Sequence, residues 1–112
     1  MYRHIQSYVR FAPRNKQELE RAVDEWCEDV DKVRSKYWDI SLWDVRNITD
    51  MSDLFAWKNF NGDITRWDVS QVTNMECMFS FAGAFNQAIG GWDVSQVINM
   101  GMMFYGARAF NQ

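Results

Sequence analysis

The stretch WDVSQVTNM, residues 67–75, returns as WDVSQVINM at residues 92–100 with one change, Thr73 against Ile98. A looser copy, WDVRNITDM, occupies residues 43–51, so Trp43, Trp67 and Trp92 stand 24 and 25 residues apart. A fixed period of this length marks stacked units, each too small to bury its apolar face alone. The units run 43–66, 67–91 and 92–112, and the first is one residue short between Phe55 and Phe60.

Overlaid, the units keep Trp43/Trp67/Trp92, Val45/Val69/Val94, Ile48/Val72/Val97, Met51/Met75/Met100, Phe55/Phe79/Phe104 and Phe60/Phe85/Phe110 in apolar columns. Trp-x-Val alternates with period two, as in a short strand, whereas Met-x-x-Met-Phe is spaced at three and four, as in a helical turn. Each unit is therefore expected to hold a strand, a capping Asp50, Asn74 or Asn99, a helical stretch and a polar return. The fold class that follows is an α/β repeat: a right-handed solenoid with a short parallel strand ladder and an N-terminal amphipathic helical cap. Trp43, Trp67, Trp92, Phe55, Phe79 and Phe104 form its expected core ladder. Asn61, Asn86 and Asn111 follow the Phe column and are expected to be buried at bends, satisfying backbone amides.

The solvent side of the expected strands carries Asp44, Arg46, Asp68, Ser70, Asp93 and Ser95, the candidate contact face for a partner. Stacked carboxylates on strands about 4.8 Å apart would repel unless neutralised. Acceptance of hydrogen bonds from turn amides is the favoured role, with a bridging calcium ion as the alternative.

Ahead of the repeats, Leu19, Ala22, Val23, Trp26, Val30 and Val33 trace the stripe of an amphipathic helix. Asn15 with Glu18 has the form of a capping box, and residues 15–37 are expected to cap the first unit. Residues 38–112 then form the repeat body. Residues 1–14 form a basic arm: up to residue 17 there are four basic residues and no acid, against eight basic and fifteen acidic residues in the remainder. A net −7 body lacks the clustered cations that phosphate contacts require, which argues against nucleic acid. Apolar residues make up 47% of the 112-residue chain, enough for one core without disulfides, so Cys27 and Cys77 are read as buried reduced thiols.

With the repeat laid out, WDVSQVTNMECMFSFAGAFNQAIGGWDVS (67–95) resembles the BspA-type leucine-rich-like surface-protein repeat, of the form W-D-V-S-x-V-x-x-M-x-x-M-F-x-x-A-x-x-F-N-x-x-I. FAPRNKQELERAVDEWCED (11–29) resembles the helical segment that often opens such arrays. The resemblance implies an interaction or adhesion scaffold with a leucine-rich-repeat-like solenoid rather than a chemistry. Arg46 in place of Ser70 and Ser95, and Ile98 in place of Thr49 and Thr73, depart from the pattern.

Catalysis finds little support. His4 is the sole histidine and lies in the arm, and no cysteine has zinc-site spacing. The paired glycines at 90 and 91 lack the strand-to-helix setting of a phosphate loop. Neither cofactor nor metal is expected. The expected function is a non-enzymatic protein-interaction scaffold; the alternative is a structural subunit of a larger assembly, such as a capsid-associated component of a large DNA virus. Partners would be other proteins, copies of the same chain or assembly neighbours, reached through the uncapped last unit and the basic arm. No signal sequence or membrane-spanning run of about 18 apolar residues is written, which favours an intracellular or virion-associated setting over secretion and leaves Asn47-Ile48-Thr49 unglycosylated.

Overall fold

The computed structural model describes residues 10–112. His4 and residues 1–9 of the expected basic arm lie outside the described residues. Two helices open the fold, α1 (Lys16–Glu28) and α2 (Val30–Tyr37). Asn15 is extended, and its side chain accepts the Glu18 amide at 2.9 Å, relieving one unpaired donor of the first turn. The reciprocal half of the box is redirected: the Glu18 carboxylate takes the backbone amide and guanidinium of Arg14 instead of the Asn15 amide. Asp29 divides the helices by capping both, its amide donating to Glu25 and its carboxylate accepting from Lys32. Leu19, Ala22, Val23, Trp26 and Val33 are buried in the common core, while Val30 is half-buried against it.

The expected strand ladder does not form, and the architecture is not the right-handed solenoid built on one. Among the described residues there are two α-helices, a 3-10 turn at Ile40–Leu42 and no strand; two isolated parallel bridges, Asp50 to Asn74 and Asn74 to Asn99, are all the sheet pairing there is. The reason lies in the backbone after each bridge. Asp53 and Trp57 take φ of 59° and 63°, Cys77 and Phe81 57°, Met102 55° and Gly106 74°, so every fourth residue turns left-handed. Leu54, Ala56 and Lys58 accordingly donate to the carbonyls three residues back, at 3.2–3.3 Å. Half of the amides are consumed in these tight turns, and extended ladder geometry is lost. The helical stretch expected from Met-x-x-Met-Phe is replaced by the same turns.

The remaining amides join one unit to the next. Met51, Asp53, Phe55 and Trp57 donate to the carbonyls of Asn74, Glu76, Met78 and Ser80 at 2.9–3.0 Å. Met75, Cys77, Phe79 and Phe81 do the same to Asn99, Gly101, Met103 and Tyr105 at 2.7–2.9 Å. Trp67 Nε1 reaches back to the Ile40 carbonyl at 2.8 Å and Trp92 Nε1 to that of Ile64 at 3.1 Å, so the indole of unit 67–91 is tied to the 3-10 turn ahead of the first unit and that of unit 92–112 to the end of unit 43–66.

Rings fill the space between. Phe55, Phe79 and Phe104 stack in file at 5.5 and 5.4 Å, nearly parallel, and Phe60, Phe85 and Phe110 follow at 6.1 and 5.9 Å. Burial at roughly 25 cal/mol per Å² makes this apolar column the chief stabilising term. The helices close the side of the first unit: Trp26 meets Trp43 edge-on at 6.0 Å, Lys16 bonds Ser52 at 2.7 Å, and Lys58 pairs with Asp24. The opposite side is open. Ile98, Met100, Met102 and Tyr105 are exposed, and Phe104 and Phe110 are only partly buried.

Candidate interaction surfaces

The six residues of the expected contact face sit in turns rather than on strands. Asp68 accepts the Ser70 amide at 3.0 Å and its hydroxyl at 2.6 Å; Asp93 accepts the Ser95 amide at 3.0 Å; Asp44 accepts the Arg46 amide at 3.2 Å and its guanidinium at 3.3 Å. The Ser70 hydroxyl and amide hold the Asp68 carboxyl below its usual range, and those of Ser95 do the same for Asp93. These carboxylates are occupied in closing the bend after each Trp, which leaves Trp and Val inward and produces the two-residue alternation of the sequence. Arg46, Asp68 and Ser70 line a shallow groove of about 390 Å³ with Asn47, Thr49 and Gln71; Asp93 and Ser95 are not part of it. Among the described residues no three His, Cys, Asp or Glu side chains converge as a metal site would require.

The expected burial of the Asn column is also corrected. Asn61, Asn86 and Asn111 are exposed, yet two of them bridge units: Asn61 Oδ1 accepts the Asn86 amide at 2.8 Å, and Asn86 Oδ1 accepts the Asn111 amide at 2.9 Å. Gln87 and Gln112 amides reinforce both links. A carboxamide oxygen has lone pairs enough for both donors while facing water. The cysteines are likewise not both buried, Cys27 being exposed and Cys77 half-buried, both as free thiols.

A second surface was not indicated by the sequence. Trp57 is 74% exposed and stacks on Phe81 at 4.1 Å, and Phe81 meets the Tyr105 ring edge-on at 5.3 Å. With Gly83, Gly106, Arg108 and Ala109, Trp57 and Phe81 line a hollow of about 550 Å³. Gly106 is required there, since a Cβ on it would stand 2.5 Å from the Phe81 ring. The signal lay in the column two residues after the buried Phe: Trp57 and Phe81 share it, but Gly106 breaks it in the third unit.

Three stacked units, closed by two helices and bearing exposed aromatic surface, define a repeat protein of short turn-built units. The chain belongs to the family described as "Mycoplasma protein of unknown function, DUF285", whose profile matches residues 27–112. Comparison with curated proteins and with solved structures returned no match. Among the described residues no helix is long and apolar enough to cross a membrane.

Proposed function

We propose that the chain is a non-enzymatic protein-interaction module, a scaffold of the BspA-like repeat type. The observation that supports this best is the exposed Trp57–Phe81–Tyr105 row beside Arg108. Aromatic and arginine side chains are the residues that most often dominate binding energy at protein interfaces, and a large indole left 74% in water offers apolar area for a partner to cover. The test is co-isolation from the cells that make the protein, comparing the unaltered chain with Trp57→Asn, chosen because Asn tolerates the left-handed backbone at this position. The expected result is at least a tenfold drop in the co-isolated partner; equal recovery by a folded Trp57→Asn protein sinks the reading.

A structural role in a larger assembly, such as a capsid-associated subunit, is the second reading. It draws support from Ile98, 89% exposed on the open side of the last unit.

A further inference from the structure

We infer that the hollow beside the aromatic row seats a short segment of a partner protein in which one carboxylate adjoins an apolar side chain, Arg108 taking the carboxylate and the Trp57–Phe81 pair the apolar group. This rests on the interaction reading and deepens it by naming the chemistry of the partner.

Charge selects the anion. Arg108 is the only basic residue between positions 67 and 112, where the acids are Asp68, Glu76 and Asp93. Asp68 and Asp93 are engaged in closing their own turns, and among the described residues no hydrogen bond or ion pair holds Arg108. An exposed guanidinium without an anion keeps its planar fork of donors available, and that fork fits a carboxylate in two parallel bonds. A cationic segment would meet like charge there. A polyanion is disfavoured for another reason: the body beyond residue 17 carries seven more acids than bases, and its field repels a nucleic-acid strand or a long acidic run. One carboxylate is what the site accepts.

The rings select what stands beside it. Trp57 and Phe81 are stacked on each other at 4.1 Å, and the Gly106 backbone and the Tyr105 ring lie against Phe81. The remainder of the pair, 74% of Trp57 and 39% of Phe81, is left to water beside the hollow. Gly83, Gly106 and Ala109 complete the lining, and a Cβ placed on Gly83 would meet nothing within 4 Å, so the space is kept clear by small residues. At about 550 Å³ it has the size of a small-ligand site, room for a few side chains of an extended segment. Trp57 comes from unit 43–66, Phe81 and Gly83 from unit 67–91, and Arg108 from unit 92–112, so the seat exists only where all three units are docked.

The test uses the full chain and capped peptides, acetyl-Ser-Phe-Asp-Phe-Ser-amide and its counterparts with Asn or Lys for Asp, followed through the backbone amide shifts of Gly83 and Gly106. Saturable shifts are expected, with the Asp peptide bound about fivefold or more tighter than the Asn peptide and the Lys peptide weakest. Arg108→Gln should reduce the Asp peptide to the level of the Asn peptide, whereas Trp57→Asn should weaken both by the same factor. Absence of saturable shifts, equal binding of the Asp and Asn peptides, or a preference that survives Arg108→Gln overturns the inference. So does tighter binding of a single-stranded oligothymidylate, or a dimer of the chain that Arg108→Gln dissolves, which would make a second copy the occupant. Equal binding of the Asp and Asn peptides while Trp57→Asn still loses the co-isolated partner overturns the inference alone and leaves the module reading intact.

Discussion

Trp67 shows how much one side chain carries. It is 3% exposed, stacks on Trp43 at 6.4 Å, touches Phe55, and closes the bond to the Ile40 carbonyl. Trp67→Ala should lower stability by about 3–5 kcal/mol, the usual cost of an aromatic cavity, measured by urea denaturation. A folded Trp67→Ala protein of unchanged midpoint would contradict the stacked core. Gly106 offers the opposite lesson, since its value is the atom it lacks. Its φ of 74° and the closeness of Phe81 should make Gly106→Ala cost about 1–2 kcal/mol, whereas Gly83→Ala, with open space around its Cβ, should stay within about 0.5 kcal/mol.

At the scale of elements, the recurring device is a carboxylate that folds back on the amide two residues on, as at Asp63, Asp68 and Asp93. Thr65 and Ser70 hydroxyls and amides lower the Asp63 and Asp68 pKa values. A carboxyl whose folded pKa is depressed stabilises the fold fully above its unfolded value near 3.9, and that contribution disappears as pH falls through the folded value. The urea midpoint should therefore be level from about pH 7 to 5 and decline below about pH 4. An Asp63→Asn/Asp68→Asn protein, which keeps an acceptor but cannot titrate there, should show a shallower decline; an identical acid profile would remove these turns as its cause.

These same elements mark where the sequence was readable. Burial repeats with the period, so the Trp, Val, Met and Phe columns could be drawn from letters alone, and Trp43, Val69, Met75 and Phe79 are indeed all nearly inaccessible. The backbone between them could not. Spacings of three and four suit a helical turn and a string of i to i+3 turns equally, and nothing in Trp57, Cys77, Phe81 or Met102 announces a left-handed φ as Gly, Asn or Asp would. The aromatic row is hidden in the letters for a related reason: an aromatic residue in a repeat suggests core, and only the turn geometry carries Trp57 and Phe81 outward.

Across the whole molecule, the helices close one side and leave the other to water, so stability should be graded rather than uniform. The middle unit is covered on both sides, and Met75, Met78, Phe79 and Phe85 have no measurable exposure. In the last unit Met100 is 43% exposed, against 0% for its counterparts Met51 and Met75. Local opening should begin there. Among hydrogen-bonded amides, exchange ought to be slower at Met78 and Phe79 than at Met103 and Tyr105; equal rates would mean that the units open together.

The link from Asn61 to the following unit also sets a chemical clock. Asn61 precedes Gly62, and without a shielding side chain the glycine amide nitrogen is well placed to attack the Asn61 carboxamide and expel ammonia through a cyclic imide. While Asn61 Oδ1 accepts from the Asn86 amide and Gln87 Nε2, rotation of that carboxamide toward the attacking nitrogen costs two hydrogen bonds. Gln87→Ala should loosen the grip, and mass spectrometry of aged samples should then find deamidation at Asn61 faster than in the unaltered chain. Docking of the second unit on the first would thus be recorded in the shelf life of a single amide.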